Sequence, residues 1–243
     1  MRKLLPILIV WGCSNSPPPP AMPDGVEEEV PQATFVVGTR TAFEGPLTKT
    51  FEDGSQLEIT QWTVVLSAVE IHLCETASVW ELLVPNAWAH VSNSTTRLGT
   101  PSAEDLTMGT GGARIVGEIA PPLGTYCRAY AIYTPADDDV LNFGRVSEAD
   151  LLGKTAVIEA QWTPAGQPTQ SLTWAWAGTR AVAIELEPTT MQTPNDHEQL
   201  LVDKRIDARI LDGLTREHMD DDPAAVLMAA FFDRVDLYRT AKR

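Results

Sequence analysis

The chain contains three cysteines, whose thiols could carry a lipid, form a disulfide or bind a metal. Cys13 ends the run Val10-Trp11-Gly12-Cys13, which resembles a lipoprotein signal-peptidase site with a small residue before the cysteine. Arg2 and Lys3 form a basic start, and the apolar run that follows is far shorter than the roughly 20 residues that a bilayer crossing needs. We therefore predict a signal peptide at 1–12 and lipidation of Cys13. An ordinary cysteine in an ordinary secretory signal is the alternative.

The segment 13–31 follows the predicted cleavage site and is rich in proline and glutamate. It includes Pro17-Pro18-Pro19-Pro20 and Glu27-Glu28-Glu29, and such a composition favours an extended, solvated tether. Acyl chains such as palmitate at Cys13 would attach the protein durably to a membrane if more than one chain is present. We expect an outer-membrane-anchored protein of the cell envelope that faces the periplasm or the exterior.

Cys74 and Cys127 are the two cysteines that remain after Cys13 is assigned to the anchor. An extracytoplasmic compartment permits their oxidation, so the sequence predicts a disulfide between them. A thiolate metal site is the competing interpretation, but no C-x-x-C spacing supports it.

The charge of the chain is strongly acidic, with a formal net charge of −15 at pH 7. Removing 1–12 takes away Arg2 and Lys3 and makes the net charge −17. Such a surface repels nucleic acid and anionic lipid, so we expect no nucleic-acid partner.

Period-two alternation dominates the body of the chain, over 34–42, 56–74, 124–133, 156–162 and 170–186, and 200–211 is also strand-like. Turn signals such as Asp53-Gly54 separate these strands, and 164–168 is expected to close a hairpin. The pattern predicts a mainly β fold, an antiparallel β-sandwich occupying 32–243. Asp222 and Pro223 have the residue types of an N-cap and a first helical position, which predicts a short C-terminal helix.

The segment 75–113 interrupts the alternation and is too long for an ordinary loop. We interpret it as a functional segment or as an insertion with its own small structure.

One strand reads Trp174-Ala175-Trp176-Ala177-Gly178 and leads into an apolar run that contains glutamate. This pattern resembles the MbnP-like family, periplasmic copper-binding proteins associated with methanobactin operons. The resemblance, over about two thirds of the chain, also rests on Asp53-Gly54 with Leu66-Ser67, Pro122-Leu123-Gly124-Thr125-Tyr126, Ile210-Leu211-Asp212-Gly213 and Phe232-Asp233-Arg234-Val235. Thr179 stands where the family usually has an aromatic residue.

The resemblance implies a β-sandwich that binds copper through histidines, with a possible oxidised tryptophan nearby. The candidate ligands are His72, His90 and His197, and the candidate modified residues are Trp174 and Trp176. Each has a simpler interpretation: His72 as a half-buried strand residue, His197 as a solvated loop residue, and the tryptophans as core packing. His90 is the favoured ligand because it lies in 75–113.

The other candidate residues give weaker signals. We interpret His218 as an exposed residue before the predicted helix. The triplets 137–139 and 220–222 could bind calcium but lack the glycine and terminal glutamate of an EF-hand loop, so we interpret them as a solvated turn and a helix N-terminus. No nucleophile-elbow, H-E-x-x-H or P-loop motif is present, so we do not expect an enzyme, although dispersed residues could still assemble a hydrolase site. The sequence therefore favours a lipid-anchored copper-binding protein for sequestration or delivery. The alternative is an envelope module that contacts a protein or glycan through 75–113.

Overall fold

The computed structural model describes residues 31–74, 95–142 and 145–240. The compact body of the protein begins at Pro31. The predicted signal peptide, the tether with Cys13, and the predicted ligand His90 lie outside the described residues. No helix in the described part of the chain is both long enough and apolar enough to cross a membrane.

Strands make up most of the described chain, with two short α-helices and two 3₁₀ turns, Ala208–Leu211 and Glu217–Asp220. In chain order the elements are β1 (Thr34–Glu44), β2 (Leu47–Thr50), β3 (Gln56–Leu73), β4 (Arg97–Leu98), β5 (Ser102–Asp105), β6 (Arg114–Ile119), β7 (Gly124–Tyr133), α1 (Glu148–Leu151), β8 (Ala156–Thr163), β9 (Gln170–Trp176), β10 (Arg180–Met191), β11 (His197–Asp207), α2 (Pro223–Phe232) and β12 (Val235–Thr240).

The larger, eight-stranded sheet is organised around β3. The N-terminal half of β3 pairs with β8 and the C-terminal half with β7, and β9 and β10 extend the sheet beyond them. β2, β5 and β4 pair along the opposite edge of β3, because Val64 is the partner both of Ala156 in β8 and of Glu104 in β5. All of these pairings are antiparallel.

Two bulges divide β3 into three parts that differ in which side chains face the core. The register shifts at Thr60 and again at Ser67, and each extra residue reverses the alternation. The hydroxyl of Ser67 accepts a hydrogen bond from the Thr134 amide at 3.0 Å and lies 2.6 Å from the Thr134 hydroxyl, which holds the second bulge in place. The inward positions are therefore 57 and 59, then 62, 64 and 66, then 69 and 71.

The smaller sheet has the order β12-β11-β1-β6. Its pairings are antiparallel except for β1 and β11, which run parallel from Thr34 beside His197 to Glu44 beside Asp207. Since β1 and β11 are far apart in the sequence, a parallel pairing needs no tight connection between them.

The two sheets pack face to face around one main apolar core, as the predicted sandwich requires. Phe35 of β1 meets Tyr126 of β7 with ring centroids 5.5 Å apart, and Tyr133 meets Phe231 of α2 at 5.5 Å. A second apolar cluster lies on the other face of the large sheet, where the β7–β8 connection covers β3, β5 and β8; its members are Val65, Ala103, Ala136, Val140, Val146, Leu151 and Val157. The predicted mainly β fold with a short C-terminal helix is confirmed.

The predicted start of the C-terminal helix and the predicted hairpin are also confirmed. The carboxylate of Asp222 accepts a hydrogen bond from the Ala225 amide at 3.0 Å, and Pro223 begins α2. The hairpin predicted at 164–168 joins β8 to β9, with Gly166 at a φ of 70°. The strand predicted over 170–186 is two strands, because the chain pairs with β8 up to Trp176 and with β7 from Arg180 onward.

The predicted disulfide between Cys74 and Cys127 is present, with a Cα–Cα distance of 4.9 Å. It ties the end of β3 to β7 beside the start of the predicted insertion. The described half of that insertion contributes β4 and β5 to the large sheet, since Glu70 pairs with Arg97 and Thr63 with Asp105. Residues 95–113 are thus part of the sandwich, and 75–94 lie outside the described residues.

Candidate functional site

Glu70 and His72 form the centre of a polar site on the outer face of the large sheet. The bulge at Ser67 turns Val69 and Ile71 toward the core, so Glu70 and His72, which alternate with them, face outward. Nε2 of His72 lies 3.0 Å from Oε1 of Glu70, and both side chains are about one quarter exposed. This contact places the two side chains on the same face of β3.

Cross-strand pairing adds further polar side chains around this pair. Tyr130 of β7 lies opposite Glu70, and its ring meets the His72 imidazole edge-on with centroids 5.0 Å apart. Arg128 of β7 lies opposite His72 and donates from Nε to Glu185 of β10 at 2.9 Å. These residues form a continuous polar surface across three strands.

The electrostatics of the site favour a charged Glu70. The hydrogen bond from His72 is the main reason that the pKa of Glu70 lies below its usual range, and Arg97, with Nη1 3.7 Å from Oε2, acts in the same direction. Partial burial opposes this lowering. The carboxylate is therefore ionised at neutral pH.

The spacing of the His72 nitrogen and the Glu70 oxygen is compatible with two kinds of interaction. At 3.0 Å they can share a proton in a hydrogen bond. Two ligand atoms that each lie about 2.0–2.1 Å from one ion, at an angle of about 90°, are also separated by about 2.9 Å. A small rearrangement would allow the pair to chelate a cation instead.

The site lies beside the described residues that flank 75–94 in the sequence. Cys74 follows β3 directly, and the carbonyl of Thr96 accepts a hydrogen bond from the Ile71 amide at 3.0 Å. His90 precedes Thr96 by six positions, a length of chain that reaches at most about 20 Å. The described residues that flank the segment with the favoured predicted ligand thus lie beside His72.

His197 lies elsewhere, at the first position of β11 in the small sheet. With Val36, Glu198 and Gln199 it lines a cavity of about 330 Å³. Phe35 and Tyr126 pack in the interior between the sheets at this end, and stacked sheets are separated by about 10 Å. The structure therefore does not bring His72 and His197 together around one ion.

Asp137, Asp138 and Asp139 form a group whose potential metal-ligand atoms all lie within 4.8 Å of one another. It is the single such group of three residues in the described ranges. This group is largely exposed, and the Asp139 amide donates to the Asp137 carboxylate within it. His218 accepts a hydrogen bond at Nδ1 from the Thr215 amide at 3.1 Å, so it stabilises the turn before α2.

Trp174 and Trp176 lie on the same face of β9, as the alternation predicts, and both pack against the main core while staying partly exposed. The ring of Trp176 meets Phe232 of α2 with centroids 5.5 Å apart. Their present contacts are those of packing residues at the margin of the sandwich.

Sequence reasoning missed Arg97, Arg128, Tyr130 and Glu185 as members of the polar surface. Arg128 and Tyr130 could have been noticed, because they alternate with Ala129 and Ala131 and so share one strand face. Arg97 and Glu185 could not, since their positions depend on which strands pair with β3 and β7.

Comparison with known proteins gives no relative: no family model, no curated protein and no solved structure matches this chain. Its structure is that of a sandwich-like β protein with one disulfide among the described residues and a polar surface centred on Glu70 and His72.

Proposed function

We propose that this protein is a lipid-anchored protein of the cell envelope that binds copper for sequestration or delivery. In this proposal His72 and Glu70 supply the ligands within the described residues, and His90 supplies a third ligand from 75–94. The lipid anchor is the one predicted at Cys13.

The observation that carries the proposal is the 3.0 Å distance between His72 Nε2 and Glu70 Oε1 on an accessible sheet face. Imidazole is a preferred copper ligand, and a carboxylate beside it supplies negative charge. The acidity of the chain adds a general attraction for cations. The disulfide between Cys74 and Cys127 fits a protein that works in an oxidising compartment.

A third ligand is needed because Arg97 competes for the same carboxylate. Its guanidinium lies 3.7 Å from the second Glu70 oxygen and repels a cation held by the first. Two ligands opposed by a cationic neighbour would bind an ion weakly, so we expect tight binding to depend on His90 as well as on His72.

The test is copper retention by the full chain, natively produced and acylated, measured by elemental analysis after dialysis. We expect about one copper per chain, lost in His72→Ala and in His90→Ala and weakened in Glu70→Gln. His218→Ala is the matched control, because it removes an imidazole that bonds to Thr215 away from the site, and it should retain the metal.

Two results would contradict the proposal. One is retention of copper by the His72→Ala and His90→Ala variants; the other is absence of copper from the unmodified protein at micromolar copper. Loss in His197→Ala alone would move the site to the cavity on the small sheet. Intact mass of the same samples would report acylation at Cys13 and any oxidation of Trp174 or Trp176.

A second function, an envelope module that contacts a protein or glycan through 75–113, is favoured by Met108. This side chain is 66% exposed and lies in the described half of that segment, where a partner could contact it. A photoreactive residue at Met108 that captures an envelope component, in a protein that retains no copper, would support this function over the first.

A further inference from the structure

β9 is the outermost strand of the large sheet, and one of its edges has no partner strand among the described residues. The Trp176 carbonyl accepts a hydrogen bond from the Thr155 amide at 2.7 Å, on the β8 side of the strand. Backbone groups alternate in direction along a strand, so Ser171, Thr173 and Ala175 direct their N–H and C=O groups away from β8. Nowhere in 31–74, 95–142 or 145–240 does a strand pair with this β9 edge.

The β9 edge also lacks the charged residues that usually protect outer strands from pairing. No charged residue lies between Glu159 and Arg180, in a chain with a net charge of −15. Outer strands elsewhere in the two sheets do carry charges, which are Arg114 and Glu118 in β6, Arg180, Glu185 and Glu187 in β10, and Asp236 and Arg239 in β12. Proteins use such charges, or proline, to prevent edge-to-edge association, and β9 has neither.

The side chains of β9 are suited to pairing with another strand. Ser171, Thr173 and Ala175 are small and exposed, so they would not obstruct a neighbouring strand. Leu172, Trp174 and Trp176 face the core side and are only partly buried. A strand added at this edge would cover the exposed parts of these three apolar side chains.

We propose that β9 pairs antiparallel with β9 of a second copy of this chain, across a two-fold axis at Thr173. Each Thr173 would then face its counterpart, and Ser171 would face Ala175 of the other copy, which gives about six backbone hydrogen bonds. On the core side Trp174 would lie opposite Leu172 of the other copy, an aromatic–aliphatic pair formed twice. The contact is self-complementary, as a two-fold interface must be.

Charge is the reason that the partner is a second copy. Two chains of net charge −15 repel each other over most of their surfaces, but the β9 edges meet without any charged side chain. Within β8, the strand beside β9, the one charged residue is Glu159, which pairs with Thr173. The two copies of Glu159 would be three strand spacings apart, about 14 Å, which exceeds the screening length of about 8 Å at physiological salt.

The first experiment measures the molar mass of the full chain carrying Cys13→Ser, by light scattering, over a range of concentrations. We expect a dimer. Thr173→Lys should raise the dimer dissociation constant by at least about tenfold, because it places two ammonium groups opposite each other across the axis. Thr48→Lys, the same change at an exposed position in the outer strand β2, should leave the dimer intact.

A monomer at all concentrations would overturn the proposal, as would a Thr173→Lys variant that still dimerises like the Thr48→Lys control. A second measurement uses the acylated protein in its membrane with a photoreactive residue at Thr173. A crosslinked product of twice the chain mass supports self-pairing. A product with a different protein would assign the β9 edge to a foreign strand and overturn the proposal.

Discussion

Replacing Lys204 with methionine should lower the free energy of unfolding by about 3–5 kcal/mol. Lys204 is fully buried between the sheets, where Nζ lies 2.5 Å from Oε2 of Glu104 and donates a hydrogen bond to the Thr39 hydroxyl. Neither Glu104 oxygen has a hydrogen-bond partner among the described residues, so charge holds the carboxylate in place. Without the ammonium group, the nearest cation is Arg114, at 3.7 Å from Oε1.

The double replacement Glu104→Leu with Lys204→Met should restore most of the lost stability. It removes both charges at once, so no ion is left desolvated, and exchange of a buried ion pair for apolar side chains is often neutral or stabilising. The Thr39 hydroxyl would lose its partner, which costs about 1 kcal/mol. We therefore expect the double variant to lie within about 2 kcal/mol of the unmodified protein.

Thermal unfolding at pH 7 with the disulfide oxidised is the assay, followed by near-ultraviolet circular dichroism. A loss of 3–5 kcal/mol in a body of this size corresponds to a midpoint lower by about 6–20 °C. If the double variant is as unstable as Lys204→Met alone, the penalty does not come from an unpaired buried carboxylate and the reasoning is refuted. Arg205→Met, at an exposed position in the same strand, serves as the control.

Four further predictions concern single side chains. Burial, and secondarily the charge of Glu104, raises the pKa of Tyr133 well above its usual value of 10, so the stability tied to its neutral form is complete below pH 10 and is lost as pH rises toward the folded-state pKa. Tyr133→Phe should remove this alkaline loss of stability, measured as the thermal unfolding midpoint against pH. It should cost little stability at pH 7, since the Tyr133 hydroxyl has no partner among the described residues. Tyr126→Phe should cost about 0.5–1.5 kcal/mol of unfolding free energy, because it removes the hydrogen bond to the Pro122 carbonyl at 2.6 Å. Cys74→Ala should lower urea-unfolding stability by roughly 4 kcal/mol, given a sequence separation of 53, and an unchanged midpoint would show that the disulfide does not constrain the unfolded chain. Asp222→Ala should cost about 1 kcal/mol by removing the α2 cap, whereas Asp221→Ala beside it should cost less.

Local signals in the sequence were sufficient for the longer strands, the helix cap and the disulfide. Alternation located β1, β3, β7 and β8 because each has one face in the core. Asp222 and Pro223 located the start of α2 because capping depends on a few adjacent residues. Assigning Cys13 to the anchor left one possible pair of cysteines.

Pairing between distant strands could not be derived in the same way. β4 and β5 are two and four residues long, too short for a recognisable alternation, and they exist because β3 offers an unpaired edge. The parallel pairing of β1 with β11 joins segments more than 150 residues apart. The polar surface around Glu70 depends on these pairings, since Arg97 and Glu185 come from strands that the sequence does not connect to it.

The bulge at Ser67 decides which residues of β3 face the solvent. Trp62, Val64 and Leu66 point inward, and uninterrupted alternation from them would direct Glu70 and His72 into the core. One extra residue reverses this and exposes the pair, while Val69 and Ile71 take the inward positions. Alternation within a short stretch of sequence shows that Glu70 and His72 share a face of the strand. Which face they take depends on the contact between Ser67 and Thr134, the residue that follows β7. The accessibility of the proposed ligands is therefore a tertiary property of the fold.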